Sequence, residues 1–218
     1  MEMRTPVEPG ESLPASAFLL AFDPRKERLT VRRDLGRLMR AAVLAELVMN
    51  GNLADESGKA RAVTAPARPG PLQAAVWEQI TSSPPRTWQR WIDRDRKNAY
   101  RLIRDELAAA RLVEVEHHRF LVFRYERIKP RRLYLSRKLA ERVGRAIRGG
   151  QPVGRVDQDV RALAALAAAV RLKTVVSGRE LRERKGRLDE LAGPVRPVTT
   201  ALRKSVDAAN AAAAASAG

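Results

Sequence analysis

The chain has no cysteine, only two histidines and few aromatic residues, and no apolar run in it is long. Without cysteine there is no disulfide, thiolate metal site or cysteine nucleophile. His117 and His118 are adjacent, and in an extended segment they point to opposite faces, so together they make neither a metal pair nor a catalytic dyad. The one Gly-Lys pair that suggests a phosphate loop, Gly58-Lys59, has Leu53 where the earlier glycine is needed. Nucleophile elbow, zinc-protease helix and dinucleotide fingerprint are missing as well, so the expectation is a non-enzymatic protein with no cofactor and no metal. A spanning helix needs about 18 apolar residues in succession, and no stretch approaches that. The start, "MEMRTPVEPGESLP", lacks a basic stretch followed by an apolar run, so no secretory signal is expected.

Acidic residues are also scarce: 25 Asp and Glu stand against 42 Lys and Arg, a formal charge of +17. Such a field favours polyanions, which leaves nucleic acid, an anionic membrane or an acidic partner. The excess is concentrated. Between Arg119 and Arg148 eleven basic residues face two acidic ones, Glu126 and Glu141. Within that region lies "HHRFLVFRYERIKPRR" (117–132), where Phe120-Leu121-Val122-Phe123 interrupts the cations.

With 218 residues, 44% of them hydrophobic but only 5% aromatic, the expectation is one mainly α domain whose core is Leu, Ala and Val on helices. Residues 1–12 read as a disordered arm, 13–212 as a helical domain with a central bundle, and 213–218 as a flexible Ala-rich tail. "LPASAFLLAFD" predicts a short helix and "ERLTV" a strand. Leu35 to Met49 is apolar nearly all round, which predicts a buried helix stopped by Asn50-Gly51. Arg40 inside it needs a partner or a route to water, and an acidic residue would serve. Helices follow at 72–80, 87–93 and 97–111. Val113-Glu114-Val115-Glu116 alternates as a one-sided strand, His117-His118-Arg119 is placed as a turn, and "FLVFRYE" as the returning strand. Ser136 is the expected cap of a helix with Leu139, Val143 and Ile147 on one face and Arg137, Lys138, Arg142, Arg145 and Arg148 on the other. Three further segments are helical: 156–172, 178–192 and 197–212.

At 100° per residue Lys97, Arg101 and Arg104 share an arc of about 60°, with Tyr100 at its edge. Three cations on one face can hold a phosphate through charge-assisted bonds. A solvated face with Asp105 nearby is the alternative. Trp91 reads as a core residue, and Trp88 as either core or interfacial.

In order and spacing, "RAAVLAELVMNGNL" (40–53), "TWQRWI" (87–92), "AYRLIRDELAAARLVE" (99–114), "FLVF" (120–123), "DVRALAALAAA" (159–169) and the closing "VTTALRKSVDAA" resemble the Golgi phosphoprotein 3 family. These are peripheral membrane proteins that bind phosphatidylinositol 4-phosphate. The resemblance covers about residues 13–212, and the many alanines and arginines suggest a bacterial member from a GC-rich genome. It implies a central helix bundle ringed by amphipathic helices, with a hydrophobic hairpin facing the membrane. Of the family's headgroup positions, Arg40 matches and Lys97 is conservative, while Val31 stands for a tryptophan and Tyr100 for an arginine. Arg101 and Arg104 are candidates to compensate. The resemblance therefore implies an anionic, phosphoinositide-containing membrane as partner, bound through Arg40, Lys97, Arg101 and Arg104. The hairpin contacts would be Phe120, Leu121, Phe123 and Tyr125. It implies reversible attachment to the cytoplasmic face of a membrane, allows client membrane proteins as partners, and leaves a homo-oligomer open. The rival reading is a basic nucleic-acid-binding protein, although no DNA- or RNA-reading motif is visible.

Overall fold

The computed structural model describes residues 12–120 and 123–216, with the side chains of 117–120 and 123–125 outside the description. Ten α-helices and three two-stranded antiparallel sheets make up the described residues, so the fold is mainly α, as expected. The expected N-terminal arm lies outside this description except for Ser12.

The first helix, α1 (Leu13–Leu20), starts where Ser12 accepts from the Ala15 N–H and Pro14 fixes the first turn. It packs against α2 (Leu35–Met49), the central helix. From Leu35 to Leu47 every residue of α2 except Gly36 is buried, as a helix apolar nearly all round requires, with Arg37, Arg40 and Glu46 carried into the core. Glu46, inside this core, accepts from the Leu13 N–H at 2.9 Å and from the Gln73 amide at 3.1 Å. It thereby satisfies a donor at the start of α1 that the helix itself cannot. Asn50 and Gly51 end α2, with Gly51 left-handed at φ 73°.

Around α2 stand α3 (Pro71–Thr81), α4 (Trp88–Asp93), α5 (Arg96–Ala109), α7 (Gln158–Ala169) and α10 (Arg196–Ala215). Of the remaining helices, α6 (Leu133–Arg148) packs on α7 and α1, while α8 (Gly178–Glu183) leads into α9 (Lys185–Leu191), which packs on α7. Trp88 and Trp91 are both core residues; the Trp88 indole donates to Asp55. Two small hairpins join these helices: β1–β2 (Phe22–Asp23, Arg28–Leu29) and β3–β4 (Leu53–Glu56, Lys59–Ala62). The second turns at Ser57-Gly58, both at positive φ, as a two-residue hairpin turn requires.

Three details differ from the sequence-based expectation. First, β5 (Val113–Phe120) runs straight through His117-His118-Arg119, and β6 (Phe123–Pro130) returns with Phe120 paired to Phe123. Pairing of eight residues on each strand carries the ladder through these polar residues. "FLVF" is thus shared between the ends of two strands and is not one strand. Second, α6 begins at Leu133, three residues before its expected cap. The extra turn brings Leu133 onto the core, while Ser136 is buried with its hydroxyl unpartnered. Third, 178–192 is two helices, divided at Arg184, where the following Lys185-Gly186 disfavours a continuous helix. In addition, α10 reaches Ala215, into the segment set apart as a tail.

Candidate functional site

The starts of α2 and α5 meet. At Gly36 an added Cβ would lie 2.9 Å from the carbonyl carbon of Arg96, so only glycine permits this approach. Where the two helices converge, a cleft of about 670 Å³ opens, lined by Arg32, Arg33, Gly36, Arg96, Lys97 and Tyr100, with Leu29, Leu35, Asp93 and Asp95. Neither Asp34 nor Asp95, the residues preceding the two helices, makes a side-chain cap. The starts of two long helices are therefore uncapped by these side chains beside the cleft, where the helix dipoles favour an anion.

Backbone strain surrounds this junction. Val31 sits at φ 45° and Asp95 at φ 50°. For a β-branched residue that conformation is a true outlier, and each such residue costs about 1–3 kcal/mol. The turn at Val31, closed by the Asp34 N–H onto its carbonyl at 2.8 Å, delivers Arg32 and Arg33 to the cleft rim. Below the rim, Arg37 ties three helices together: it donates to Asp34 at 2.9 Å, to Asp93 at 2.8 Å and to Ser205 at 2.8 Å. Asp93 also accepts from Ser205 at 2.7 Å. By contrast, Arg32, Arg33, Arg96 and Lys97 have no side-chain hydrogen bond or ion pair among the described residues. The cleft is therefore a cationic rim of four side chains over a polar floor in which Arg37 holds Asp34 and Asp93, with Asp95 the other carboxylate of its lining.

The four cations expected from sequence do not converge there. Lys97 lines the cleft, beside Tyr100, whose ring is stacked at 6.0 Å on Phe18. Arg101 is exposed and donates to Asn98 at 2.7 Å. Arg104 is held between Asp105 at 2.7 Å and Glu126 at 2.6 Å, pinning α5 to β6. Arg40, one helical turn beyond Gly36, is 1% exposed. It donates to the Trp91 carbonyl at 2.9 Å and to Gln79 at 3.0 Å, and its Nη2 is unpartnered. Among the described residues no carboxylate bonds it. Burial, only partly offset by Asp95 and reinforced by Arg94, lowers its pKa to about 10. Sequence reasoning missed Arg32, Arg33 and Arg96, which lie outside any periodic face; the adjacent pair before a helix start was their one visible signal.

The hairpin's root is buried through Val113 and Ile128, and an ion pair from Arg127 to Glu27 joins β6 to the β1–β2 turn at 3.0 Å. Phe120, Phe123 and Tyr125 belong to its strands by register, but their side chains, and all of Leu121, lie outside the described residues.

Fold and cleft together define a mainly helical single domain with a cationic cleft built on two uncapped helix starts. The chain belongs to the Golgi phosphoprotein 3 family, whose model matches residues 13–209, most of its length. Comparison with curated proteins finds no match. No helix among the described residues is long and apolar enough to cross a membrane.

Proposed function

We propose that this is a non-enzymatic peripheral membrane protein that docks anionic phospholipid, holding a phosphorylated, phosphoinositide-type headgroup in the cleft between α2 and α5. The observation that carries the reading is the set of four unpaired cations, Arg32, Arg33, Arg96 and Lys97, around two helix starts without side-chain caps. A monoester phosphate carries more charge and more acceptor oxygens than a diester, so such a site favours a phosphoinositide over a plain anionic lipid. Arg40, a turn deeper on α2, adds its charge behind the cleft. The protein attaches reversibly to the cytoplasmic face of its membrane, and client membrane proteins and self-association are compatible with that role.

Charge alone does not suffice. Each cation near an anionic surface contributes about 1 kcal/mol, so four correspond to roughly millimolar affinity. One buried phenylalanine adds about 2–3 kcal/mol and brings binding to around 10 micromolar, the part assigned to Phe120, Leu121, Phe123 and Tyr125 of the hairpin. The basic face of α6, with Arg137, Lys138 and Arg145 exposed, follows directly along the chain and adds general attraction.

Vesicle flotation tests this. Arg33→Ala and Lys97→Ala should each weaken binding to 4-phosphorylated phosphoinositide vesicles about 5- to 30-fold, the loss of one charge-assisted bond. They should weaken binding to phosphatidylglycerol vesicles of equal charge less. Unchanged binding by both variants, with intact circular dichroism, removes the cleft. If duplex DNA outcompetes vesicles and its binding persists at 0.5 M salt, the nucleic-acid reading replaces the membrane.

A further inference from the structure

Beside the first cleft, and sharing Asp93 with it, lies a second of about 600 Å³, lined by Arg86, Thr87, Gln89, Arg90, Asp93 and Arg94. Its three arginines are spaced four residues apart, Arg86 just before α4, Arg90 within it and Arg94 at its end. None of them has a side-chain hydrogen bond or ion pair among the described residues. Asp93 turns its Oδ1 to Arg37 and Ser205 and makes no ion pair with these three among the described residues, so the three cations outnumber the one carboxylate on this wall. The arginines are also not all free to swing away. Arg94 lies over the ring of buried Trp91 at 5.6 Å, a cation–π contact that fixes it. Arg86 is half-buried, and its carbonyl accepts from the Ala60 N–H at 3.2 Å, so its backbone is held against β4.

What lies behind the cleft supports the same conclusion. Arg40 is buried with no carboxylate bonded to it among the described residues, its Nη2 has no partner there, and its charge feels both Asp95, which favours it, and, less strongly, Arg94, which opposes it. Cations so gathered repel one another, and an anion among them removes the repulsion. Guanidinium groups present forked donors that match phosphate oxygens, and the Thr87 hydroxyl adds a neutral donor on the same wall. Chain connectivity keeps the two clefts apart: Arg94 faces the second, Arg96 the first, and Asp95 between them takes the left-handed turn.

We propose that Arg86, Arg90 and Arg94, with Thr87, form a second phosphate-binding site beside the first, taking a phosphate group carried either by a lipid headgroup or by a free anion. The site is independent of whether the first cleft takes lipid.

Amide NMR of the full chain during titration with inorganic phosphate reads the two clefts separately. Amides of 86–94 should shift saturably, and Arg86→Gln/Arg90→Gln should raise the apparent Kd about fivefold or more, while amides of 32–36 and 96–97 keep their response. Arg90→Gln alone, at an exposed position, guards against loss of fold and should show a smaller change of the same sign. Shifts that rise linearly and match those from chloride at equal ionic strength overturn the site, as does an unchanged Kd in the double variant. Flotation of the double variant on phosphatidylglycerol vesicles then assigns the source. Weakened flotation shows that the site takes headgroups, and unchanged flotation with a raised phosphate Kd shows a free-anion site. If the wild-type chain does not float at all, the membrane reading fails while the titration still decides the second site.

Discussion

Gly36→Ala isolates the junction that makes the first cleft. The added Cβ would lie 2.9 Å from the Arg96 carbonyl carbon, 3.0 Å from its Cβ and closer still to its oxygen. Backbone contributes the tightest of these contacts, so no flexible side chain can give way, and the helix starts must part by about 1 Å to restore van der Waals separation. Overpacking of this kind costs about 1–3 kcal/mol, and the better helix propensity of alanine returns at most about 1. For a chain of this size each kcal/mol moves Tm by about 2–4 °C, so a mid-range cost of about 2 kcal/mol, less at most about 1, gives an expected fall of about 2–8 °C by calorimetry. Parting the helices also separates Arg32 and Arg33 from Arg96 and Lys97, which then no longer reach one phosphate together. Loss of one such bond weakens phosphoinositide vesicle binding about tenfold. Gly154→Ala, where an added Cβ meets nothing within 4 Å, is the control and should leave both readings unchanged. A Gly36→Ala protein with unaltered Tm and unaltered flotation refutes the geometry of the junction and its role.

Arg40→Met tests whether the buried guanidinium is kept for stability: because its charge is penalised on folding throughout the range below about pH 10, replacing it with an apolar residue of similar length should raise Tm by a few degrees while weakening vesicle binding. A fall in Tm would mean that the bonds to Trp91 and Gln79 outweigh desolvation. At the hairpin, Phe120 and Phe123 are direct cross-strand partners, so Phe120→Asp and Phe123→Asp should act alike, keeping Tm within a few degrees and losing about 30-fold or more in vesicle affinity. Unfolding by either variant would place that end of the hairpin in the core.

Much of the fold was legible because long periodic segments decide it. The stretch 35–49, apolar nearly all round, reads as a buried helix, and Asn50-Gly51 ends it. The expected alternation shows in the first pair, Val113 buried and Glu114 exposed, while Val115 and Glu116 are both half-buried. The reading failed where a local signal was overridden. Ser136 is a good cap in isolation, yet burying Leu133 favours starting α6 a turn earlier. His117-His118-Arg119 is polar enough for a turn, but a two-stranded ribbon tolerates polar residues, and pairing eight residues on each strand outweighs an early reversal.

The cleft was less legible for a different reason. A helical wheel finds cations that share a face of one element, and it found Lys97, Arg101 and Arg104. The structure assembles its cationic rim from two chain segments instead, each turned by a left-handed residue immediately before a helix. Arg104, well placed on the wheel, is consumed by Glu126, a residue 22 positions away that no wheel includes. Arg32 and Arg33 gain their place because Val31 adopts a conformation its side chain disfavours, at a cost of about 1–3 kcal/mol. A glycine or asparagine would take that turn with less strain, and Val31 also packs on the core, so the strain is sustained by burial on one side while the next two residues are presented on the other. Val31 thus turns the chain and anchors it, and the two arginines that follow line the cleft.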